Sequence, residues 1–147
     1  MKYVYRMMSQ LEYDNLIAGK QLVNETIHDP DHTFSYSTGF CFLPWTVEYT
    51  DDSGLVGKMT ALQAIDRIMP GVSRYDLWVQ LRVLNPKVLK KSLGCYLDTK
   101  TSGEVWSNEL CTTSYSARDL QPTHAFKIEK IEDVLWARFM AGSDYDD

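Results

Sequence analysis

The sequence predicts an α+β fold in which split, mostly antiparallel β-sheets are flanked by two to three helices. The predicted elements run strand, helix, loop, strand, helix and then mostly strands, which differs from the strict alternation of a doubly wound fold. One segment alternates apolar and polar side chains, and another repeats apolar residues at helical spacing. The chain of 147 residues is long enough to bury one core, and it shows no internal repeat.

The N-terminal elements are predicted to be a strand and a short helix. Residues 2–6 are aromatic and β-branched, which favours a strand. Ser9 followed by Glu12 has the pattern of a capping box, so a helix is predicted over residues 10–18, ended by Gly19.

The middle of the chain is predicted to combine polar loops with one strand and one helix. Residues 24–33 and 48–57 are polar and are predicted to be loops. Residues 34–43 are predicted to form a strand, and Gly39 within it indicates a bulge or a close approach to the backbone. The apolar stripe of residues 58–69 predicts an amphipathic helix.

The second half of the chain is predicted to be rich in strands. Residues 75–84 give the clearest strand, with Leu77, Val79, Leu81 and Val83 on one face and Trp78, Gln80 and Arg82 on the other. The later elements are predicted as a turn or a single helical turn at 85–92, strands at 93–99 and 105–116, a turn at 117–122, a strand at 124–131 and a helix at 132–140.

Charge and length limit the class of protein. The net charge of −5 opposes a phosphate backbone, so broad nucleic-acid binding is not expected. Lys87, Lys90 and Lys91 form the densest basic cluster, which is typical of a solvated turn. One α+β domain is expected over residues 1–142, followed by an acidic tail at 143–147 that is predicted to be disordered.

The cysteines and the N-terminus indicate where the protein works. Cys41, Cys95 and Cys111 stand among apolar neighbours without C-x-x-C spacing, which predicts reduced, buried thiols in a cytosolic protein. The N-terminus lacks the apolar run of a signal peptide, and no segment approaches a membrane span. We therefore expect a cytoplasmic protein that does not bind membranes.

Arg6 is the first candidate for a ligand site. It ends the first predicted strand, where a structural residue would usually be apolar. A guanidinium there can bind a phosphate or a ribose through two parallel hydrogen bonds. The alternative is an arginine at a strand end that extends to reach water.

Two later strands carry the other candidates. Alternation places Ser35, Ser37 and Gly39 on one strand face, which a flat ring could contact, although a half-exposed sheet face would look the same. Glu109 is predicted to share one strand face with Cys111, Thr113 and Tyr115. A carboxylate so placed can bind a ribose hydroxyl, stabilise positive charge on a sugar or act as a general base, but it could equally be a surface carboxylate.

A metal site is not predicted. The segment "HDPDH" at residues 28–32 contains two histidines with helical spacing, but Pro30 breaks the helix that this spacing would need. A polar loop that covers a cleft is the preferred interpretation.

Taken in order, three segments resemble the ADP-ribosyltransferase superfamily. They are "YVYRMMS" with Arg6, "FSYSTGFCF" with Ser35, Ser37 and Thr38, and "NELCTTSYSARDLQP" with Glu109. The resemblance implies an ADP-ribosyltransferase-like fold and an NAD-dependent transferase that modifies a protein or nucleic-acid target. Ser107 departs from the family's pattern, which often has Gln or Glu two residues before the catalytic glutamate.

The same resemblance assigns a role to each candidate. It implies that Arg6 anchors the diphosphate or the adjoining ribose of NAD. It also implies that Glu109 is catalytic, because it binds the ribose 2′-hydroxyl and stabilises the oxocarbenium-like state that forms as nicotinamide departs. The remaining implied cofactor-binding residues are Ser37 and Thr38 at the nicotinamide end, with Tyr36 or Tyr115 as a stacking surface.

A second class of function is a non-enzymatic, phage-type inhibitor that binds a host or defence protein complex. The small size, the acidic balance and the nine tyrosines and four tryptophans favour this class, since aromatic residues are enriched in interface hot spots. Both classes imply a macromolecular target, and we expect it to be a protein.

Overall fold

The computed structural model describes residues 1–23, 40–50, 54–68, 76–91, 95–96, 105–106 and 108–127. These residues form a mixed α+β structure of several small sheets, and every strand pairing among them is antiparallel. The helices are α1 (Gln10–Ile17) and α2 (Ala61–Ile68). The strands are β1 (Tyr3–Met8), β2 (Leu22–Val23), β3 (Phe40–Phe42), β4 (Thr46–Thr50), β5 (Val56–Thr60), β6 (Leu77–Val83), β7 (Lys90–Lys91), β8 (Cys95–Tyr96), β9 (Val105–Trp106), β10 (Leu110–Thr112), β11 (Ser114–Tyr115) and β12 (Leu120–Lys127).

Two of the four sheets are connected through the first strand. One sheet has the order β1-β6-β12, a second has the order β3-β10-β7, a third has the order β5-β4-β9-β8, and β2 pairs with β11. Tyr5 of β1 and Leu43 exchange both backbone hydrogen bonds at 2.8 Å. This bridge places β3 beside β1, so the first two sheets continue into one another.

Two apolar cores lie on the two faces of β1 and β6. The Trp78 core contains Tyr5, Leu43, Trp45, Val47, Leu62 and Trp78. The Tyr115 core contains Val4, Met8, Leu16, Phe40, Phe42, Leu77, Val79, Leu81, Tyr115 and Leu120. The alternation predicted for β6 is confirmed, because its odd-numbered residues pack in one core and Trp78 packs in the other.

The start of α1 is also confirmed. Ser9 is extended, and its side-chain oxygen accepts a hydrogen bond from the backbone N–H of Glu12 at 3.1 Å. Gly19 follows the helix with φ of 79°, a left-handed conformation that glycine adopts without steric cost.

One prediction for the middle of the chain is wrong, and one predicted helix begins later than expected. Residues 48–57 were expected to be a loop, but five of the seven that the structure describes belong to β4 and β5, which pair from Thr46↔Thr60 to Thr50↔Val56. The polar composition concealed β-branched and aromatic residues, and Gly54, with φ of 82°, lies at the turn. Helix α2 begins at Ala61 rather than residue 58, because Thr60 and Gln63 exchange side-chain and backbone hydrogen bonds as a capping box.

The turn predicted at 117–122 is too long. Strand β12 already begins at Leu120, which pairs with Val83. Pro122 has no backbone N–H to donate to a neighbouring strand. It is accommodated because β12 is the outer strand of its sheet as described, and because the register shifts between Pro122 and His124. The helix predicted at 132–140 and the tail at 143–147 lie outside the described residues.

Candidate functional site

Arg6 lies on the Tyr115 side of β1, and its guanidinium is bound by Glu12 of α1. The Nε atom donates to Oε2 and the Nη2 atom donates to Oε1, each at 2.7 Å. The Nη1 atom donates to the backbone carbonyl of Cys41 at 3.2 Å. The two charged side chains are only 12% and 14% exposed, so this bidentate ion pair is shielded from water.

Aromatic rings enclose the ion pair. The guanidinium carbon of Arg6 lies 5.1 Å from the ring centroid of Phe40 and 5.7 Å from that of Phe42. The ring of Tyr115 packs edge-on against both phenylalanines, with centroid distances of 5.0 and 5.3 Å. These contacts hold the guanidinium plane in one orientation.

Tyr115 completes the arrangement by donating its hydroxyl hydrogen to Oε2 of Glu12 at 2.8 Å. Its pKa is raised far above the ordinary value, first because burial disfavours the phenolate and second because the Glu12 carboxylate repels it. The Arg6 guanidinium opposes this effect only in part. We call Arg6, Glu12 and Tyr115 the Arg6 network.

Two of the predicted cofactor-binding residues, Arg6 and Tyr115, are therefore brought together, but Glu12 lies between them. Glu12 was interpreted from the sequence only as part of a capping box. Its carboxylate does not return to the helix start; it faces β1, where it neutralises Arg6. The sequence signal that could have found this pair is the polar residue in an otherwise apolar strand, followed by a helix whose first turn carries an acid.

Glu109, the predicted catalytic residue, immediately precedes β10 and is 3% exposed. Alternation places it on the same face as Cys111 and opposite Leu110, which packs in the Tyr115 core. The pKa of Cys111 is raised, first by burial and then by the Glu109 carboxylate, while Lys90 opposes the shift. Glu109 thus lies beside Cys111, on the sheet face opposite to Arg6.

The prediction that Glu109, Cys111, Thr113 and Tyr115 share one strand face is wrong. The chain bends at Thr113, between β10 and β11, so the alternation is interrupted there. Cys111 lies opposite Cys41, whereas Tyr115 contacts Phe40 and Phe42 on the other face.

The central motif of the predicted site is the segment at residues 36–38. Tyr36, Ser37 and Thr38 lie outside the described residues, and their role in binding a cofactor stays a prediction. The segment at residues 28–32 lies outside them as well. Among the residues that are described, no group of three or more His, Cys, Asp or Glu side chains is placed to hold a metal ion.

An exposed basic surface lies at the C-terminal end of β6. Arg82, Lys87 and Arg118 are exposed, and Leu84 between them is 50% exposed. We call these four residues the basic corner. Only the lysines near residue 90 form a cluster in the sequence, because Arg118 is distant in the chain.

Hydrogen bonds hold the two parts of the basic corner together. The backbone N–H groups of Leu84 and Asn85 donate to the carbonyl of Asp119 at 2.9 and 3.0 Å. The carboxylate of Asp119 accepts from the Asn85 amide at 3.1 Å and from the Ser116 N–H at 3.2 Å. Asp119 is directed toward these turns, so the three cations present positive charge at this corner of an acidic chain.

Comparison with known proteins adds no relative. No family model matches the chain, and no curated protein or solved structure is significantly similar to it. None of the helices in the described ranges is long and apolar enough to span a membrane.

Proposed function

We propose that the protein is a non-enzymatic binding protein whose basic corner contacts an acidic surface of a partner protein. The observation that carries this proposal is that three cations, Arg82, Lys87 and Arg118, are exposed on chain segments that hydrogen bonds to Asp119 hold together. Leu84 of the same segment is half-exposed. Exposed cations on the same corner as an exposed apolar side chain suit a protein interface, since arginine is enriched in hot spots and complementary charge steers association.

The Arg6 network favours binding over catalysis. Its arginine is neutralised by Glu12 and shielded by aromatic rings, so it serves as a structural connection between β1 and α1. The predicted catalytic carboxylate lies on the opposite sheet face. A dinucleotide would have to displace Glu12 to reach Arg6. Its binding would therefore cost the protein a well-formed ion pair.

A matched pair of charge-reversal variants tests the proposal. The test variant is R82E/K87E/R118E, and the control is K20E/K58E/K127E, which changes the net charge equally at exposed positions elsewhere. The probe is a fluorescent polyglutamate peptide with one leucine, followed by fluorescence anisotropy at several salt concentrations. We expect affinity to fall about tenfold or more in the test variant and by less than about threefold in the control.

Two outcomes would overturn this proposal. Equal losses in both triple variants would show that binding follows net charge rather than the basic corner. Tighter binding of a single-stranded oligonucleotide than of the acidic peptide, lost in R82E/K87E/R118E, would make the corner a nucleic-acid site instead.

The second candidate function is the NAD-dependent ADP-ribosyltransferase with the implied fold. Its support is that two of the residues implied to bind NAD, Arg6 and Tyr115, lie together, and it requires that Glu12 release Arg6 before NAD binds. Calorimetric titration with NAD tests it, with Glu12→Gln as the variant that weakens the hold on Arg6 and Glu109→Ala as the variant that removes the catalytic carboxylate. Transfer of labelled ADP-ribose to protein that is lost in Glu109→Ala supports the enzyme; absence of NAD binding in every variant removes it.

A further inference from the structure

We propose that Cys41 and Cys111 form a reversible cross-strand disulfide that joins β3 to β10. The two residues lie directly opposite each other in the antiparallel pairing, between the pairs Phe42↔Leu110 and Phe40↔Thr112. Directly opposed residues of an antiparallel pair project from the same sheet face. Both thiols are half-buried here, whereas the sequence predicted buried thiols.

The backbone hydrogen bonds identify the type of pair. Leu43 exchanges both of its backbone hydrogen bonds with Tyr5 on the β1 side. The backbone N–H and C=O groups of successive residues point to opposite edges of a strand. Those of Phe42 therefore face β10, and those of Cys41 face β1 again. The carbonyl of Cys41 accordingly accepts a hydrogen bond from Arg6 at 3.2 Å. Cys41 and Cys111 therefore form a non-hydrogen-bonded pair.

This geometry permits a disulfide and makes it easy to reduce. The Cα atoms of a non-hydrogen-bonded pair lie about 4.5 Å apart, which is the shorter spacing in an antiparallel ladder. Disulfides span Cα distances from about 4.4 to 6.8 Å, so the pair lies near the lower limit. Both thiols are partly exposed, and exposed disulfides have the more oxidising potentials typical of labile or regulatory bonds.

The oxidant that we name is a small-molecule disulfide of the glutathione type. One protein thiolate attacks a sulfur of oxidised glutathione, which breaks its S–S bond and releases one glutathione thiolate. The second protein thiolate then attacks the protein sulfur of the mixed disulfide and releases the second glutathione. Two protein thiols lose two protons and two electrons, and one glutathione disulfide becomes two glutathione thiols.

Oxidation would tie β10 to β3, the strand whose aromatic rings pack against the Arg6 network. Phe40 and Phe42 of β3 flank Cys41 and contact both Arg6 and Tyr115. The disulfide would fix β3 on β10 from the opposite sheet face. The pair is therefore placed to hold the Arg6 network more rigidly in oxidising conditions.

Peptide mapping of the folded, wild-type chain tests this proposal. The protein is equilibrated in glutathione buffers of graded ratio, quenched with acid, alkylated and digested with trypsin. Cleavage after Lys and Arg places Cys41, Cys95 and Cys111 in separate peptides, at residues 21–58, 92–100 and 101–118. We expect a linked peptide joining Cys41 to Cys111 that appears as the fraction of oxidised glutathione rises and disappears as it falls.

Variants and denaturant supply the controls. The linked peptide should be absent from Cys41→Ser and Cys111→Ser and retained in Cys95→Ser, with circular dichroism confirming that each variant is folded. In denaturant the linkage should spread over all three cysteine pairs. Thiols that stay reduced in fully oxidised buffer, or that form only mixed disulfides with glutathione, would overturn the proposal. Native linkages that involve Cys95 would do the same.

Discussion

The phenol ring of Tyr49 lies over Gly57 on the neighbouring strand, in the space that a Cβ atom at position 57 would occupy. The two residues are directly paired in the β4–β5 ladder. A Cβ built on Gly57 would meet Cε1 of Tyr49 at 2.7 Å, a distance that real Cβ atoms essentially never show. Glycine at this position allows the ring to pack flat across the hairpin.

Gly57→Ala should therefore destabilise the protein by displacing the Tyr49 ring. We expect a loss of up to about 1 kcal/mol of unfolding free energy, less than for overpacking a core, because the displaced atoms are the outer end of a partly exposed ring. Urea denaturation measures it. In a Tyr49→Ala background the same substitution should cost much less, because the obstructing ring is gone. Simple additivity of the two substitutions would contradict this explanation.

Glu12→Gln should weaken the connection between β1 and α1. The variant keeps the shape of the side chain but leaves the Arg6 charge shielded and without its counter-charge. We expect a loss of about 2 kcal/mol, at the lower end for a buried ion pair because both side chains keep some exposure. Asp14→Asn on the same helix is the control and should cost less than about 0.5 kcal/mol, since Asp14 is exposed. Equal effects of the two substitutions would show that the ion pair adds no stability.

Tyr115 should make stability fall at alkaline pH. The unfolded phenol titrates near its ordinary pKa of about 10, whereas the folded pKa is raised by burial and by Glu12. Above pH 10 the unfolded state binds fewer protons than the folded state, so the unfolding free energy decreases as pH rises, by up to about 1.4 kcal/mol per pH unit. The contribution is fully present below the unfolded pKa.

Denaturant unfolding between pH 8 and pH 11 measures this effect of Tyr115. The decline should be shallower in Tyr115→Phe, which keeps the ring against Phe40 and Phe42 but cannot ionise. Identical slopes in wild type and Tyr115→Phe would mean that the buried phenol is not responsible.

A buried polar network lies on the face of β6 that is opposite to the Tyr115 core. Gln80, 3% exposed, donates to the hydroxyl of Tyr5 at 3.1 Å and accepts from the hydroxyl of Thr123 at 2.7 Å. Thr123→Val removes the donor and leaves the Gln80 oxygen unsatisfied, at an expected cost of about 1–3 kcal/mol in thermal or urea unfolding. Thr123→Ser should restore most of the loss, and Thr113→Val at an exposed threonine should be nearly neutral. A serine variant as unstable as the valine variant would assign the effect to packing.

The regular elements were predictable where the sequence pattern and the local hydrogen bonds agree. Strand β6 alternates between two cores, and Ser9 caps α1, so both could be predicted from neighbouring residues. The β4–β5 hairpin was missed because its stability depends on cross-strand contacts such as Tyr49 over Gly57, which composition does not reveal.

The candidate site depended on relationships between distant parts of the chain. Arg6 was correctly singled out, but its partner Glu12 is determined by how α1 packs on β1. The bend at Thr113 separated Tyr115 from Glu109, although strict alternation would have joined them. The opposition of Cys41 and Cys111 requires the register of two strands far apart in sequence, which a single sequence does not specify.

The reactivity of Cys111 should report the charges on its sheet face. Burial and the Glu109 carboxylate raise its pKa. Lys90 of β7, which pairs directly with Cys111 of β10, lowers it. In a Cys41→Ser/Cys95→Ser background, Glu109→Gln should lower the pKa, increase the thiolate fraction and speed alkylation by iodoacetamide at pH 8 by about two- to fivefold. Lys90→Met should raise the pKa and slow the reaction. Asp76→Asn, a remote exposed carboxylate, should leave the rate unchanged, and a Glu109→Gln variant no faster than this control would show that Glu109 does not act on the thiol.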